Sequence, residues 1–313
     1  MRTLSDLATV LIAARVVAAA RWERAARAGR GDTGATLDAL EAAPPERFTP
    51  GADDTPDTPP GLTEYQRDVI ELWLNGDDLP LGRYLALNRF VLLEKLGEGG
   101  QGEVYRGRQL SPPRFVAVKT LRRDTDSGRA RFEQEARAMM KVQHPAIARF
   151  YLYERVRDAT NTPTDEYLIA MEFVDGTDLH RLVQWWGPVP WAFAVKWAID
   201  LLGGLALIHQ NGFIHRDVKP ANVIILGPPP EPDTPPGATA AKLLDFGAVG
   251  KVEHSGPAAG NRRVFVGTRE YAPPEQWDER VVPASDLCWA ARCSTRSPVA
   301  RPTRSKTGTR SRS

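Results

Sequence analysis

The chain has 313 residues, 42% of them hydrophobic, with 41 basic and 39 acidic residues for a formal net charge of +2. That length can bury one large core or two lobes, which leaves room for an enzyme. Seven basic residues and no acidic ones fall in the last 26 positions, so the rest of the chain carries 34 basic against 39 acidic residues, a net of −5, which excludes a nucleic-acid-binding body. Cys288 and Cys293 are the only cysteines, too few for a disulfide framework or a cysteine metal cluster, and a reducing, cytoplasmic setting is expected.

In chain order, residues 1–29 are Ala-rich and favour a helix that ends at a Gly-containing turn. The apolar run "ATVLIAARVVAAA" is interrupted by Arg15 and falls short of the roughly 20 residues that a membrane span needs, so no membrane segment is expected here. Residues 30–61 turn to Pro, Asp, Thr and Ala with few large apolar side chains, the composition of a disordered linker. "LTEYQRDVIELWLNG" then has apolar residues at helical spacing and a Gly stop, so 62–88 is expected to be a short helical segment.

From Arg89 the pattern changes to period two. "RFVLLEKLG", "GEVYRGRQL" and "FVAVKTL" predict successive strands, "SGRARFEQEARAMMKV" an amphipathic helix, and "ARFYLYERV" and "EYLIAMEFV" further strands. After Gly176 the segments are helical, "WAFAVKWAIDLLGGLALIHQNG" being the longest. The expected class is α+β with two lobes, a small β-rich one followed by a helical one. The Pro-rich stretch from Gly227 to Ala240 is expected to be a mobile surface loop.

Three motifs carry chemistry. "LGEGGQGEVY" sets Gly97, Gly99 and Gly102 so that a strand-to-strand turn can bring backbone N–H groups close to a phosphate; a Gly-rich hairpin with no ligand explains the same pattern as well. Lys119 ends a β-branched strand, and either Glu135 or Glu133 on the next helix could hold its ammonium. "HRDVKPAN" with "LLDFG" supplies Asp217 and Lys219, two residues apart, plus Asn222 and Asp245, oxygen donors of the kind that Mg²⁺ prefers.

Residues 89–287 thereby resemble the eukaryotic-type (Hanks-type) serine/threonine protein kinases also found in bacteria. The resemblance implies transfer of the γ-phosphoryl group of ATP to Ser or Thr hydroxyls of protein substrates. It implies that Asp217 is the base, that Lys219 neutralises the transferring group, that Asn222 and Asp245 hold Mg²⁺, and that Thr268 braces Asp217 and Lys219. Gly97, Gly99 and Gly102 would cover the phosphates, which Lys119, paired with Glu135, would grip. Val104 and Ala117 would enclose the base beside the gatekeeper Met171 and the hinge Glu172 to Val174. "RDVK" and "GTREY" are similar to the Ser/Thr branch.

The chain departs from that family in several places. "PPE" at Pro273 to Glu275 replaces "APE", and Gln101 stands at the hairpin tip. In that resemblance Arg216 implies an activation segment ordered by phosphorylation, for which Ser255 is the free hydroxyl and the expected autophosphorylation site; activation without phosphorylation is the equal alternative. After Leu287 the expected lobe would continue into apolar helices, one of which supplies an Arg to Glu275, whereas residues 288–313 read as a basic disordered tail. A shifted reading frame from Cys288 permits "LGCTLFYALTGRPPY", which resembles the missing helix, so the tail is expected to be out of frame. The alternative is a catalytically inactive truncated kinase or a nucleotide-binding scaffold.

Overall fold

The computed structural model describes residues 3–14, 16–17, 19–41, 62–76, 81–99, 102–121, 126–158, 161–231, 233–251, 267–277 and 281–288. Gln101, Ser255, Cys293 and the expected tail from 289 onward lie outside them. Contacts divide the chain into two compact units, residues 1–175 and 176–313.

The first unit begins with five helices: α1 (Leu4–Ala13), α2 (Ala19–Ala28), α3 (Thr33–Glu41), α4 (Glu64–Leu74) and α5 (Leu81–Leu85). Helix α1 starts at Thr3, whose side chain accepts from the Asp6 N–H while Asp6 accepts from the Thr3 N–H, a reciprocal cap that satisfies two end donors. Helix α3 corrects the expected linker over 30–61, since 33–41 is helical. Its Thr36, Leu37 and Leu40 are buried at 0%, 2% and 0% exposure. Spacing of three to four residues puts the two leucines on one face, and that small stripe is enough once α2 packs on it. Residues 42–61 of the expected linker lie outside the described residues. The expected single helix over 1–29 is likewise two helices, α1 and α2.

These helices share one apolar core. Leu7, Leu11, Trp22, Leu40, Ile70 and Leu85 meet Val91 and Leu93 of the strand that follows, so the helical cap and the sheet edge are continuous.

Strands β1 (Ala86–Leu87), β2 (Phe90–Gly99), β3 (Gly102–Gln109), β4 (Arg114–Leu121), β5 (Phe150–Arg157) and β6 (Pro163–Glu172) form one antiparallel sheet in the order β1-β2-β3-β4-β6-β5. The β2–β3 hairpin pairs Gly97 with Val104 and Gly99 with Gly102. Alternation along β4 buries Val116 and Val118 on one side and places Ala117 and Lys119 on the other. Helix α6 (Asp126–Lys141) packs on β5 and β4.

In the second unit β7 (Thr177–Asp178) leads into α7 (Leu179–Trp186), capped by Asp178, which accepts from the Arg181 N–H at 2.8 Å. Helix α8 (Trp191–Gln210) follows, then β8 (Phe213–Ile214), β9 (Val223–Leu226), β10 (Ala240–Leu243), β11 (Gly250–Lys251) and the single turn α9 (Pro274–Trp277). By length and composition α8 could cross a membrane, although 33% of its apolar window is buried and it packs against β10 and β8 through Trp197, Leu201, Leu205 and Ile208.

The Pro-rich stretch between β9 and β10, expected to be mobile, is anchored at its end. Trp197 Nε1 donates to Thr239 Oγ1 at 2.9 Å, and Thr239, only 2% exposed, donates to the Pro236 carbonyl. A buried indole N–H needs an acceptor, which is the physical reason the loop closes onto α8.

Leu40→Ala should lower stability by about 2–5 kcal/mol, the usual range for truncating a fully buried leucine. Urea unfolding followed by far-ultraviolet circular dichroism measures this, and an unchanged midpoint would mean that α3 does not belong to the core.

Candidate active site

In the first unit the strand register puts Lys119 opposite Val104 on β3 and Ile169 on β6. Its Nζ lies 2.7 Å from Glu135 Oε1 and 2.9 Å from Oε2, with Lys119 7% and Glu135 1% exposed. Helical periodicity decides between the two rival carboxylates. Glu133, two residues earlier, turns outward and pairs with Arg137 at 2.6 Å. Ala117 pairs with Met171 across β4 and β6. Glu172 closes the end of β6: its N–H donates to the Arg149 carbonyl at 2.8 Å and its carboxylate accepts from the Arg149 N–H at 3.1 Å. Val174 follows in the half-buried stretch beyond the strand.

A Cβ at Gly97 would meet no protein atom within 4 Å, so packing does not require glycine there. Gly102 has a φ of 148°, which favours glycine directly.

In the second unit three groups converge on Asp217. Its Oδ1 accepts from the Thr268 N–H at 2.7 Å; its Oδ2 accepts from Lys219 Nζ at 2.8 Å and Asn222 Nδ2 at 3.1 Å. Lys219 also donates to Thr268 Oγ1 at 2.8 Å, and Asn222 Nδ2 to the Asp217 carbonyl at 2.9 Å. With its amide nitrogen committed to Asp217, Asn222 presents a carbonyl oxygen as its remaining polar atom.

Asp245 adopts a left-handed φ of 59°, tolerated by Asp better than by most residues, and accepts from the Gly247 N–H at 3.1 Å. The Leu244 N–H donates to the Asn222 carbonyl at 2.8 Å, and buried Phe246 meets the His215 ring edge-on at 5.2 Å. Asn222 and Asp245 are therefore brought onto adjoining backbone segments, and both supply hard oxygen donors, so the donor chemistry fits a divalent metal.

One buried side chain sets the loop that carries Asp217. Asp286, 3% exposed, accepts from the His215 N–H at 2.8 Å, the Arg216 N–H at 2.7 Å and His209 Nε2 at 2.7 Å. Arg216 has a φ of 67°, unusual for a residue with a Cβ, and its carbonyl accepts from Gln276 Nε2 at 2.9 Å. Its backbone is thus held from both sides, which is what sustains a sparsely populated conformation. Gly267, at φ 116°, passes so close that a Cβ would lie 2.6 Å from the Arg216 carbonyl oxygen. Among the described residues Glu275 accepts from Ser285 Oγ at 2.7 Å. The roles of His209, Gln276 and Ser285 had no sequence signal, because each partner lies ten to seventy-seven residues away.

A family model described as "Protein kinase domain" matches residues 90–299. The chain belongs to the protein kinase domain family. The match begins within β2 and runs past Leu287 into residues read as tail.

Among curated relatives, the chain is 39% identical over 192 residues to "Serine/threonine-protein kinase pkn2" of Myxococcus xanthus, covering 60% of this chain and 21% of that protein. It is 36% identical over 192 residues to "Serine/threonine-protein kinase PknB" of Mycobacterium tuberculosis, covering 60% and 29%. It is also 36% identical over 187 residues to "Serine/threonine-protein kinase pkn3" of Myxococcus xanthus, covering 58% and 32%. The aligned part thus spans a fifth to a third of these relatives. Kinase membership implies ATP as phosphoryl donor and a divalent metal.

Replacing Asp286 by Ala leaves the His215 and Arg216 N–H groups without their acceptor. The expected cost is about 3 kcal/mol for stranding buried donors. Thermal unfolding measures the loss, and faster amide hydrogen exchange at residues 215 and 216 localises it; unchanged exchange there would show that another group holds the loop.

Proposed function

We propose that this chain is an ATP- and Mg²⁺-dependent serine/threonine protein kinase acting on protein substrates in the cytoplasm. The observation that carries the reading is the convergence of Thr268, Lys219 and Asn222 on the carboxylate of Asp217. A solvated charged turn does not need three donors aimed at one acid. The similarity to bacterial serine/threonine-protein kinases supports the Ser/Thr branch.

In this mechanism Asp217 orients the acceptor hydroxyl and takes its proton as the oxygen attacks the γ-phosphorus. The new O–P bond forms as the bond from the γ-phosphorus to the β–γ bridging oxygen breaks, and ADP leaves. The N–H of Thr268 fixes the plane of the carboxylate through Oδ1, so the hydroxyl meets a pre-set acceptor. Lys219, held between Asp217 and Thr268, sets a positive charge where the transferring group becomes most negative.

Lys119 binds the nucleotide phosphates, and Glu135 fixes the position of its ammonium with two bonds. The open face at Gly97 lets hairpin N–H groups reach the same phosphates. Val104, Ala117, Met171, Glu172 and Val174 take the base, Glu172 and Val174 through their backbone. Asn222 and Asp245 would hold the Mg²⁺, which when bound neutralises phosphate charge. Autophosphorylation at Ser255 belongs to the same reading.

Asp217→Asn should cut phosphate transfer to a generic basic protein by at least about 100-fold, the scale of general-base catalysis, while ATP still binds. Incorporation of labelled phosphate, with nucleotide binding measured alongside, tests this, and near-wild-type turnover would remove Asp217 as the base. A Lys119→Met variant should instead weaken ATP binding itself.

A further inference from the structure

The helices before the kinase domain have no part in the site described above, yet they touch the glycine-rich hairpin through three sets of contacts. The first is at an irregularity of β2. Pairing with β3 passes from Leu92 opposite Gly107 to Glu94 opposite Arg106, so Leu93 is an extra residue in the strand. Such a bulge leaves backbone carbonyls outside the ladder. Thr63 Oγ1 donates to the Leu93 carbonyl at 2.6 Å, and Gln66 Nε2 to the Leu92 carbonyl at 2.6 Å.

These two side chains also form the cap of α4. Thr63 accepts from the Gln66 N–H at 3.2 Å, and Gln66 Oε1 accepts from the Thr63 N–H at 3.1 Å. Gln66, 1% exposed, therefore joins the start of the helix to the strand bulge with one amide. Gly97 lies four residues beyond Leu93 on the same strand.

The second set runs through aromatic rings. Tyr65 packs on Tyr105 with ring centroids 5.9 Å apart, and its hydroxyl donates to the Tyr84 carbonyl at 3.0 Å. Tyr105, next to Val104 on β3, is fully buried and donates to Glu103 Oε2 at 2.9 Å.

The third set is ionic. Glu103 stands next to Gly102 in the hairpin and is only 3% exposed. Its carboxylate accepts from Lys95 at 2.8 Å, and Arg83 of α5 lies 4.0 Å away while bonding Glu166 on β6 at 2.7 Å. A buried carboxylate beside the phosphate-covering turn is thus partly balanced by a cation from the cap.

We propose that the N-terminal helical cap is a positioning element for the glycine-rich hairpin, with Gln66 and Arg83 setting the affinity for ATP. This rests on the kinase reading above. Gln66 fixes the bulge from which the first strand of the hairpin departs, and Arg83 acts on Glu103 in the returning strand. Loosening either widens the range of hairpin positions and dilutes the one that closes over phosphates. Neither side chain touches the nucleotide, so the effect falls on binding and not on phosphoryl transfer.

The test titrates a fluorescent ATP analogue into the full chain and into Gln66→Leu and Arg83→Met, with thermal unfolding and circular dichroism on each. Both variants should keep their helical content and bind at least about fivefold more weakly, the lower end of ordinary intramolecular coupling. KM for ATP should rise by the same factor, while kcat at saturating ATP stays within about twofold. Arg83→Lys, which keeps the charge, should recover part of the loss. If Gln66→Leu fails to fold, the Arg83→Met and Arg83→Lys pair decides alone. Folded variants with the wild-type dissociation constant overturn the proposal. A wild-type chain that binds no nucleotide overturns the kinase reading itself, a result distinct from equal binding by all forms.

Discussion

A carboxylate withdrawn from water must be met by donors, and the loop around Asp217 depends on one such group. Asp286 spends its two oxygens on two consecutive backbone N–H groups and a histidine ring. The chain at Arg216 takes a left-handed turn beside those bonds, and the next side chain, Asp217, meets Thr268, Lys219 and Asn222. Without an acceptor for those amides the strained backbone would have no reason to persist.

The same constraint recurs in the first unit with different partners. Glu135 is buried and satisfied by Lys119, whose ammonium bonds both of its carboxylate oxygens. Glu103 is buried and satisfied by Lys95 and the Tyr105 hydroxyl. Tyr105 itself lies under Tyr65, where burial pushes the Tyr65 phenol up to about 12. Each acid therefore fixes a strand or helix position as well as a charge.

Much of the protein is legible in its sequence. Period-two runs marked the strands of the first unit, and the 3.6-residue spacing marked α4, α6 and α8, because each buries one face or stripe. Helix α3 escaped because its composition is shared with loops, and only packing against α2 gives Leu37 and Leu40 somewhere to go. The anchoring of the Pro-rich loop escaped for a similar reason, since Thr239 gains its partner from a helix forty-two residues earlier.

Residue type and local spacing are carried in the chain, so the chemical inventory can be read there: the glycines of the hairpin, the lysine at a strand end, and the Asp, Lys and Asn of one short loop. Residue type and spacing alone leave open which of them meet, and packing settles it. Glu135 and not Glu133 reaches Lys119, because the turn of α6 points only one of them at the sheet. Thr268 closes on Asp217 across fifty-one residues, and the cap reaches the β2 bulge across twenty-six to thirty. Contacts of that separation depend on how elements pack, and packing leaves no periodic trace in the sequence.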